Sequence, residues 1–453
     1  MQEGAGSRPG LGSVFRNIGY FFSALLVLAL TQTVLADPFK DATVGHSATT
    51  PLDGSYFGVH IHRLVPLPGE RASPWPESAG FGVLRLWDSG TAWFDIQNAP
   101  GAWHFDRLDA SVDAAQQHHA KVLLTLGGTP KWASARPDEP CPYGHACAAE
   151  PLHLEDWRAY VMALAQRYRH RISAYELWNE PNLRDLPRDR NQPGFYTGDV
   201  KSLVEMARIA REVLNAQVPG TALCTPGFVG GLDRLSLFLR SGGAPYVDAV
   251  CYHFYAHDDR HFVEQIAGVR AAMKAAGVGH LPIWNTETGV DAPAPGRMPS
   301  EFSAPSESAA AARLLQFEIL GAAAGIAQFD FYAWDNGMTG VVDAEGREKP
   351  AAELMARAHR ALRGSQLGPC RLVDDDIRLC EAHQGGELQW WLWRGQVAPR
   401  AQLLDSPPDR ILGAVLSTQG AASYRMVDAR HVSVVVGASP VRISWVSAGG
   451  VRP

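Results

Sequence analysis

The sequence predicts a closed barrel of eight parallel strands, the (β/α)8 or TIM architecture, followed by a C-terminal antiparallel β-sandwich-like domain. Three observations carry this expectation. From Phe57 to about Gly364, short β-rich runs alternate with longer helical ones, the pattern of parallel strands joined by crossover helices. The beat repeats eight times, the number a closed barrel uses. After Gly364 helical periodicity stops, and short β-type runs separated by Gly, Pro and Ser take over, as in a small sandwich. An open doubly wound sheet is the main rival; it normally carries a Gly-rich phosphate turn after an early strand, and none is visible.

Taken in chain order, residues 1–36 stand apart. Arg8 and Arg16 precede an apolar run from Ile18 to Leu30, and Val34-Leu35-Ala36 leads into Asp37. This is the pattern of a secretory signal peptide cleaved after Ala36. The run is short for a membrane span, which needs roughly 20 residues. If Thr31–Ala36 also enters the bilayer, a retained inner-membrane anchor is the alternative. Both readings export the rest of the chain, to the periplasm or outside the cell. Residues 37–56 read as a linker, 57–363 as the barrel and 364–453 as a β-rich accessory domain.

The expected barrel strands are Phe57–His62, Phe81–Asp88, Lys121–Gly127, Ile172–Asn179, Thr221–Gly227, Val247–Tyr255, Leu281–Glu287 and Ile326–Trp334. Helical patterns between them include Glu155–Tyr168, Asp199–Ala216, Arg260–Ala276 and the Ala-rich Ser308–Ala324, which suits close packing on a sheet. In the accessory domain the β-type runs are Asp374–Ala382, Glu387–Arg394, Arg410–Leu416, His431–Val436 and Pro440–Val446.

Composition narrows the function. Hydrophobic residues make up 46% of the 453, and the formal charge is −6, which excludes a disordered chain. No basic excess exists to release counterions, so no nucleic-acid partner is expected. Cys141 and Cys147 share a Pro-rich loop, and Cys370 and Cys380 bracket one C-terminal segment; each pair can close a disulfide in an oxidising compartment. Cys224 and Cys251 fall inside apolar runs and read as buried free thiols. Neither metal-ligand spacing nor a phosphate loop is visible, so no metal or other cofactor is expected.

A barrel of this kind carries its chemistry at the carboxyl ends of its strands. The fourth strand ends in Glu176-Leu177-Trp178-Asn179-Glu180-Pro181-Asn182, and the seventh in Trp284-Asn285-Thr286-Glu287-Thr288-Gly289. Two carboxylates nearly opposite one another across the mouth are what glycosidic cleavage requires: one protonates the leaving oxygen, the other attacks the anomeric carbon. Either Glu alone is as well explained by a strand-end ion pair. An Arg within the apolar run Leu84-Arg85-Leu86 is costly unless paired, and a nucleophilic carboxylate is a natural partner.

These segments, ELWNEPN and WNTETG, resemble the clan A retaining glycoside hydrolases, which carry the acid/base after strand four and the nucleophile after strand seven. Within the clan, the layout over roughly residues 55–450 is most similar to glycoside hydrolase family 39, especially the Psl-type bacterial exopolysaccharide endoglycosidases. The resemblance implies that Glu180 is the acid/base, Glu287 the nucleophile and Asn179 the partner of a sugar 2-hydroxyl. It implies that Arg85 and Tyr255 hold the nucleophile, that His253 belongs to the His-x-Tyr element, and that Trp334 is the platform under the reacting sugar. His60, His62 and Trp132 are further candidates for the substrate cleft. So are Trp87 and Trp178, with core packing the plainer explanation for each aromatic residue. Glu176, Asp88, Asp330 and Asp335 are expected in supporting or sugar-binding roles. The implied substrate is a polysaccharide or oligosaccharide. A transglycosylase using the same carboxylates, or a non-catalytic polysaccharide-binding barrel, are the rival readings. Sugar identity, endo or exo action and oligomeric state stay open.

Overall fold

The computed structural model describes residues 50–291, 300–343, 345–374, 376–395, 398–417 and 420–447. The expected leader or anchor at 1–36 and most of the expected linker lie outside them. Among the described residues no helix is long and apolar enough to cross a membrane.

Eight short parallel strands build the barrel: β1 (Phe57–Val59), β2 (Val83–Leu86), β3 (Lys121–Thr125), β4 (Ala174–Glu176), β5 (Ala222–Cys224), β6 (Val250–His253), β7 (Ile283–Thr288) and β8 (Ile326–Phe331). Seven fall inside the corresponding sequence run, and β7 runs one residue past its expected end at Glu287. They are shorter because the polar residues at the carboxyl ends leave the ladder to form the mouth. Neighbours pair in the order β5-β4-β3-β2-β1-β8-β7-β6. The remaining seam, between β5 and β6, closes through isolated parallel bridges, Cys224 with Ala249 and Phe228 with Tyr252.

That seam corrects one expectation. Cys224 and Cys251 are not free thiols; they form a disulfide joining β5 to β6. The apolar runs around them correctly signalled burial, but the partner of a buried cysteine depends on strand adjacency, which local sequence does not state. Closing a 27-residue separation restricts the unfolded chain by roughly 3–4 kcal/mol on the chain-entropy account. Cys141–Cys147 and Cys370–Cys380 are paired as expected.

Helices follow the later strands, among them Leu154–Arg167, Val200–Gln217, Asp259–Ala275 and Glu307–Ala323. Asp199, Asp258 and Ser306 cap the last three by accepting from backbone N–H groups. The β1–β2 crossover departs from the pattern, carrying only the 3-10 turn Glu77–Ala79. Pro66, Pro68, Pro74 and Pro76 lie in it, and proline cannot sit inside a helix without losing a hydrogen bond.

Beyond Gln366, antiparallel strands form a six-stranded and a three-stranded sheet. Glu387–Arg394 and His431–Val436 match the sequence reading to the residue, whereas Gln366–Asp374, Arg400–Asp405 and Tyr424–Met426 were not anticipated. Their polar, half-exposed faces carry too weak an alternation to separate strand from loop. Trp391 and Trp393 join the barrel core, and Trp393 Nε1 donates to Asp259 at 2.7 Å. The accessory sheets are therefore packed on the barrel.

Candidate active site

The centre of the mouth is an ion-paired cluster built upward from Glu176. This residue ends β4 level with Thr125 and Cys224 and is fully buried. It accepts from Arg85 Nε at 2.8 Å, Thr125 Oγ1 at 2.7 Å and Thr286 Oγ1 at 2.6 Å. Burial alone would raise its pKa. The Arg85 guanidinium, His253 and the Thr125 hydroxyl outweigh that and pull it to about 2. Glu176 is thus a permanent anion whose work is to hold Arg85.

Arg85 spreads its donors over three residues at the exits of β4 and β7. Besides Glu176, it donates from Nη1 to Glu287 Oε2 at 3.0 Å and from Nη2 to Asn179 Oδ1 at 2.8 Å. A guanidinium's planar fork suits such a multi-point role. Tyr255 donates its hydroxyl to the other Glu287 oxygen at 2.8 Å. Both oxygens of Glu287 are therefore fixed, and its side chain is only 8% exposed. Burial raises the Glu287 pKa, His253 and Arg85 lower it, and Glu180 and Asp88 raise it; the net direction is upward.

Glu180 is placed differently. Past β4 the chain resumes pairing through Asn179 with Gly227, and Glu180 N–H donates to Gly227 O at 2.9 Å. Glu180 has φ of 39°, in the left-handed region that costs a non-glycine residue on the order of 1–3 kcal/mol. Its side chain is 20% exposed, and His253 Nδ1 lies 2.8 Å from its Oε1. A carboxylate oxygen of Glu180 comes within 4.8 Å of one of Glu287.

His253 sits among Glu176, Glu180 and Glu287. Burial alone would lower its pKa; the Glu287 charge, the Glu176 carboxylate 3.9 Å away and the hydrogen bond to Glu180 win, raising it to about 9. One potential ligand atom from each of Glu180, His253 and Glu287 lies within 4.8 Å of the others. Gly227 makes this packing possible. A Cβ there would lie 2.3 Å from His253 Nε2 and 2.6 Å from Glu176 Oε1.

Two expected cleft residues are placed elsewhere. Trp334 is 1% exposed and packs edge-on to Phe81 within the core, so its ring offers no face to a sugar and the platform expectation is corrected. His60 is fully buried, with Nε2 3.1 Å from Thr286 O and 3.2 Å from Arg85 Nη1. Burial and the Arg85 charge keep it neutral, and it supports Arg85 rather than reaching a ligand. Trp132 packs edge-on to Trp93 and donates its indole N–H to Gln97 O at 2.9 Å.

Of the supporting acids, Asp330 is fully buried beside Gln328, where burial pushes it up to about 8. Asp335 accepts from the His62 and Arg63 N–H groups at 2.9 Å each. Tyr332, unforeseen in the sequence, lies half-buried at the β8 exit, edge-on to His60 and His62, and donates to Asp88 Oδ2 at 2.8 Å. Tyr332 and Trp334 share strand parity, so alternation alone did not distinguish them; the turn of the chain after Phe331 did.

No family model matches the chain. It is 26% identical to a β-xylosidase of Geobacillus stearothermophilus over 215 residues, 41% of this chain and 40% of that protein. The chain thus matches well under half of that curated relative's length. A family 39 glycoside hydrolase from the gut symbiont Bacteroides cellulosilyticus WH2 superposes with a TM-score of 0.66 at 16% identity, over 88% of this chain and 82% of that one. A family 39 enzyme from Xanthomonas axonopodis pv. citri gives 0.62 at 16%, over 88% and 96%. A family 30 subfamily 8 xylanase from Clostridium acetobutylicum gives 0.60 at 11%, over 88% and 98%. At these identities the likeness is one of fold: a TIM barrel bearing a β-domain.

Proposed function

We propose that the chain is a retaining glycoside hydrolase of clan A, similar to family 39. The observation that carries this reading is the approach of a Glu180 and a Glu287 oxygen to within 4.8 Å. Retaining enzymes hold their carboxyl groups about 5–5.5 Å apart, whereas inverting ones leave about 6.5–9.5 Å for a water. In the first step Glu287 attacks the anomeric carbon as Glu180 gives its proton to the departing oxygen. In the second, Glu180 takes a proton from water, which displaces Glu287 and leaves the sugar with its original anomeric configuration. Arg85 and Tyr255 hold the nucleophile in line, and Asn179, fixed by Arg85, is positioned for the 2-hydroxyl.

The substrate we propose is a bacterial exopolysaccharide or a related oligosaccharide, met outside the cytoplasm. Three disulfides and the signal-like residues 1–36 support an exported protein. Incubation with a 2-deoxy-2-fluoro glycoside and peptide mass analysis tests the reading: a glycosyl adduct on Glu287 is expected. An adduct elsewhere, or inversion of the anomeric proton signal during turnover, overturns it.

A further inference from the structure

The mouth has an aromatic corner that the double-displacement chemistry leaves unused. Residues Pro140–Cys141 pair with Gly144–His145 in a tight hairpin that the Cys141–Cys147 disulfide closes. Tyr143 stands at its tip, 43% exposed. The ring centroid of Tyr143 lies 5.9 Å from Trp87, 5.8 Å from Phe94 and 5.7 Å from Phe195. Trp87 and Phe94 lie in the crossover that leaves β2, and Phe195 lies in the one that leaves β4. Trp87 follows Arg85 by two residues at the exit of β2. Phe94 N–H donates to Gly128 O past β3, and Phe195 O accepts from Trp178 Nε1 past β4. The corner is therefore continuous with the catalytic cluster through Trp87 and Arg85.

A second observation points to a polar occupant. Trp87 is 3% exposed, yet its indole Nε1 has no partner among the described residues. A buried N–H left unpaired costs about 1–3 kcal/mol, and an oxygen of a ligand would relieve it. An exposed ring beside a buried, unpaired donor matches a sugar, which has an apolar C–H face and a hydroxyl rim.

We infer that Tyr143, over Trp87, forms a binding subsite for a second sugar of a neutral oligosaccharide, next to the sugar held at Glu180 and Glu287. The inference rests on the hydrolase reading for what lies beside it, and its test reads binding alone. The disulfide has a direct purpose here: it fixes the hairpin so that the Tyr143 ring is ordered before the sugar arrives.

The full chain is titrated with xylotriose, cellotriose and mannotriose and with the corresponding monosaccharides, by calorimetry and tryptophan fluorescence. At least one trisaccharide is expected to bind more tightly than its monosaccharide. Tyr143→Ala weakens that trisaccharide about tenfold, Tyr143→Trp restores it, and the Cys141→Ser/Cys147→Ser pair shifts affinity in the same direction as the alanine. Circular dichroism on each variant separates this from misfolding, and Tyr143→Trp gives an independent check within one scaffold. Equal affinity in the wild type and Tyr143→Ala, or no trisaccharide binding at all, overturns the subsite. Cleavage with Tyr143-independent binding overturns it while leaving the hydrolase reading standing. Tyr143-dependent binding by a chain that cleaves nothing upholds the subsite and sinks the hydrolase.

Discussion

Glu180 and Glu287 stand at the exits of two strands facing across one barrel, yet they are held in opposite ways. Glu287 lies within its strand, where the register shifts against both neighbours, with one oxygen on Arg85 at 3.0 Å and the other on Tyr255 at 2.8 Å. Glu180 follows the end of its strand in a left-handed backbone conformation, with His253 at 2.8 Å as its one side-chain hydrogen-bond partner among the described residues and more than twice the exposure, 20% against 8%. The difference matches the roles proposed for the two groups. A nucleophile gains from being immobile and aligned at the anomeric carbon. An acid/base must exchange its proton with solvent between two steps, so it is served by a looser, wetter setting.

The sharpest way to break this contrast is to remove the clamped group. On the proposed mechanism Glu287→Gln should lower kcat by about 10⁴-fold or more, since it removes the group that forms the covalent bond; steady-state assays retaining a tenth of wild-type activity would reject it as nucleophile. Glu180→Gln should cost about 10²–10⁴-fold on substrates with poor leaving groups and far less on activated aryl glycosides, with azide restoring rate. A uniform loss across leaving groups would equate the two residues and erase the contrast. Tyr255→Phe removes one arm of the clamp. A hydrogen bond to a charged group is worth about 1.5–3 kcal/mol, so kcat should fall roughly 10–100-fold while folding persists; an unchanged kcat would mean that Arg85 alone holds Glu287.

The smallest effect is a pH dependence of stability. His253 is raised from 6.5 to about 9 in the fold, so its contribution is complete below pH 6.5 and lost as pH rises through 9. Asp330, raised from 3.8 to about 8, keeps its proton in the fold after the unfolded chain has lost it, and this too lowers stability with rising pH. Glu176 works the other way, with its stabilisation present above 4.5 and lost as pH falls through 2. Calorimetric scans should therefore show Tm declining from pH 6.5 to 9. A rising Tm across that window would contradict a protonated His253.

Much of this was legible beforehand because strand exits have a sequence signature. An apolar run ending in a polar residue and a Pro, as at Trp178-Asn179-Glu180-Pro181, marks both a strand's end and a side chain at the mouth. The cost of a lone buried cation predicted a carboxylate partner for Arg85, the resemblance named Glu287, and the structure adds Glu176. Trp334 misled because its type and its place after an apolar strand suited a platform equally well. Tyr143, Phe94 and Phe195 were invisible as a group, since Tyr143 and Phe195 lie in segments with no periodicity, Phe94 lies in a four-residue helix, and their meeting depends on three separate crossovers.

By itself the sequence determined the eightfold alternation, the positions of Glu180 and Glu287 and the local disulfides Cys141–Cys147 and Cys370–Cys380, because each is written in spacing along the chain. Tertiary structure alone decided that Cys224 meets Cys251, that His253 is squeezed among three carboxylates, and that Trp334 turns into the core. Those outcomes depend on which strands become neighbours and on how closely the backbones approach, as at Gly227, and a one-dimensional pattern carries neither.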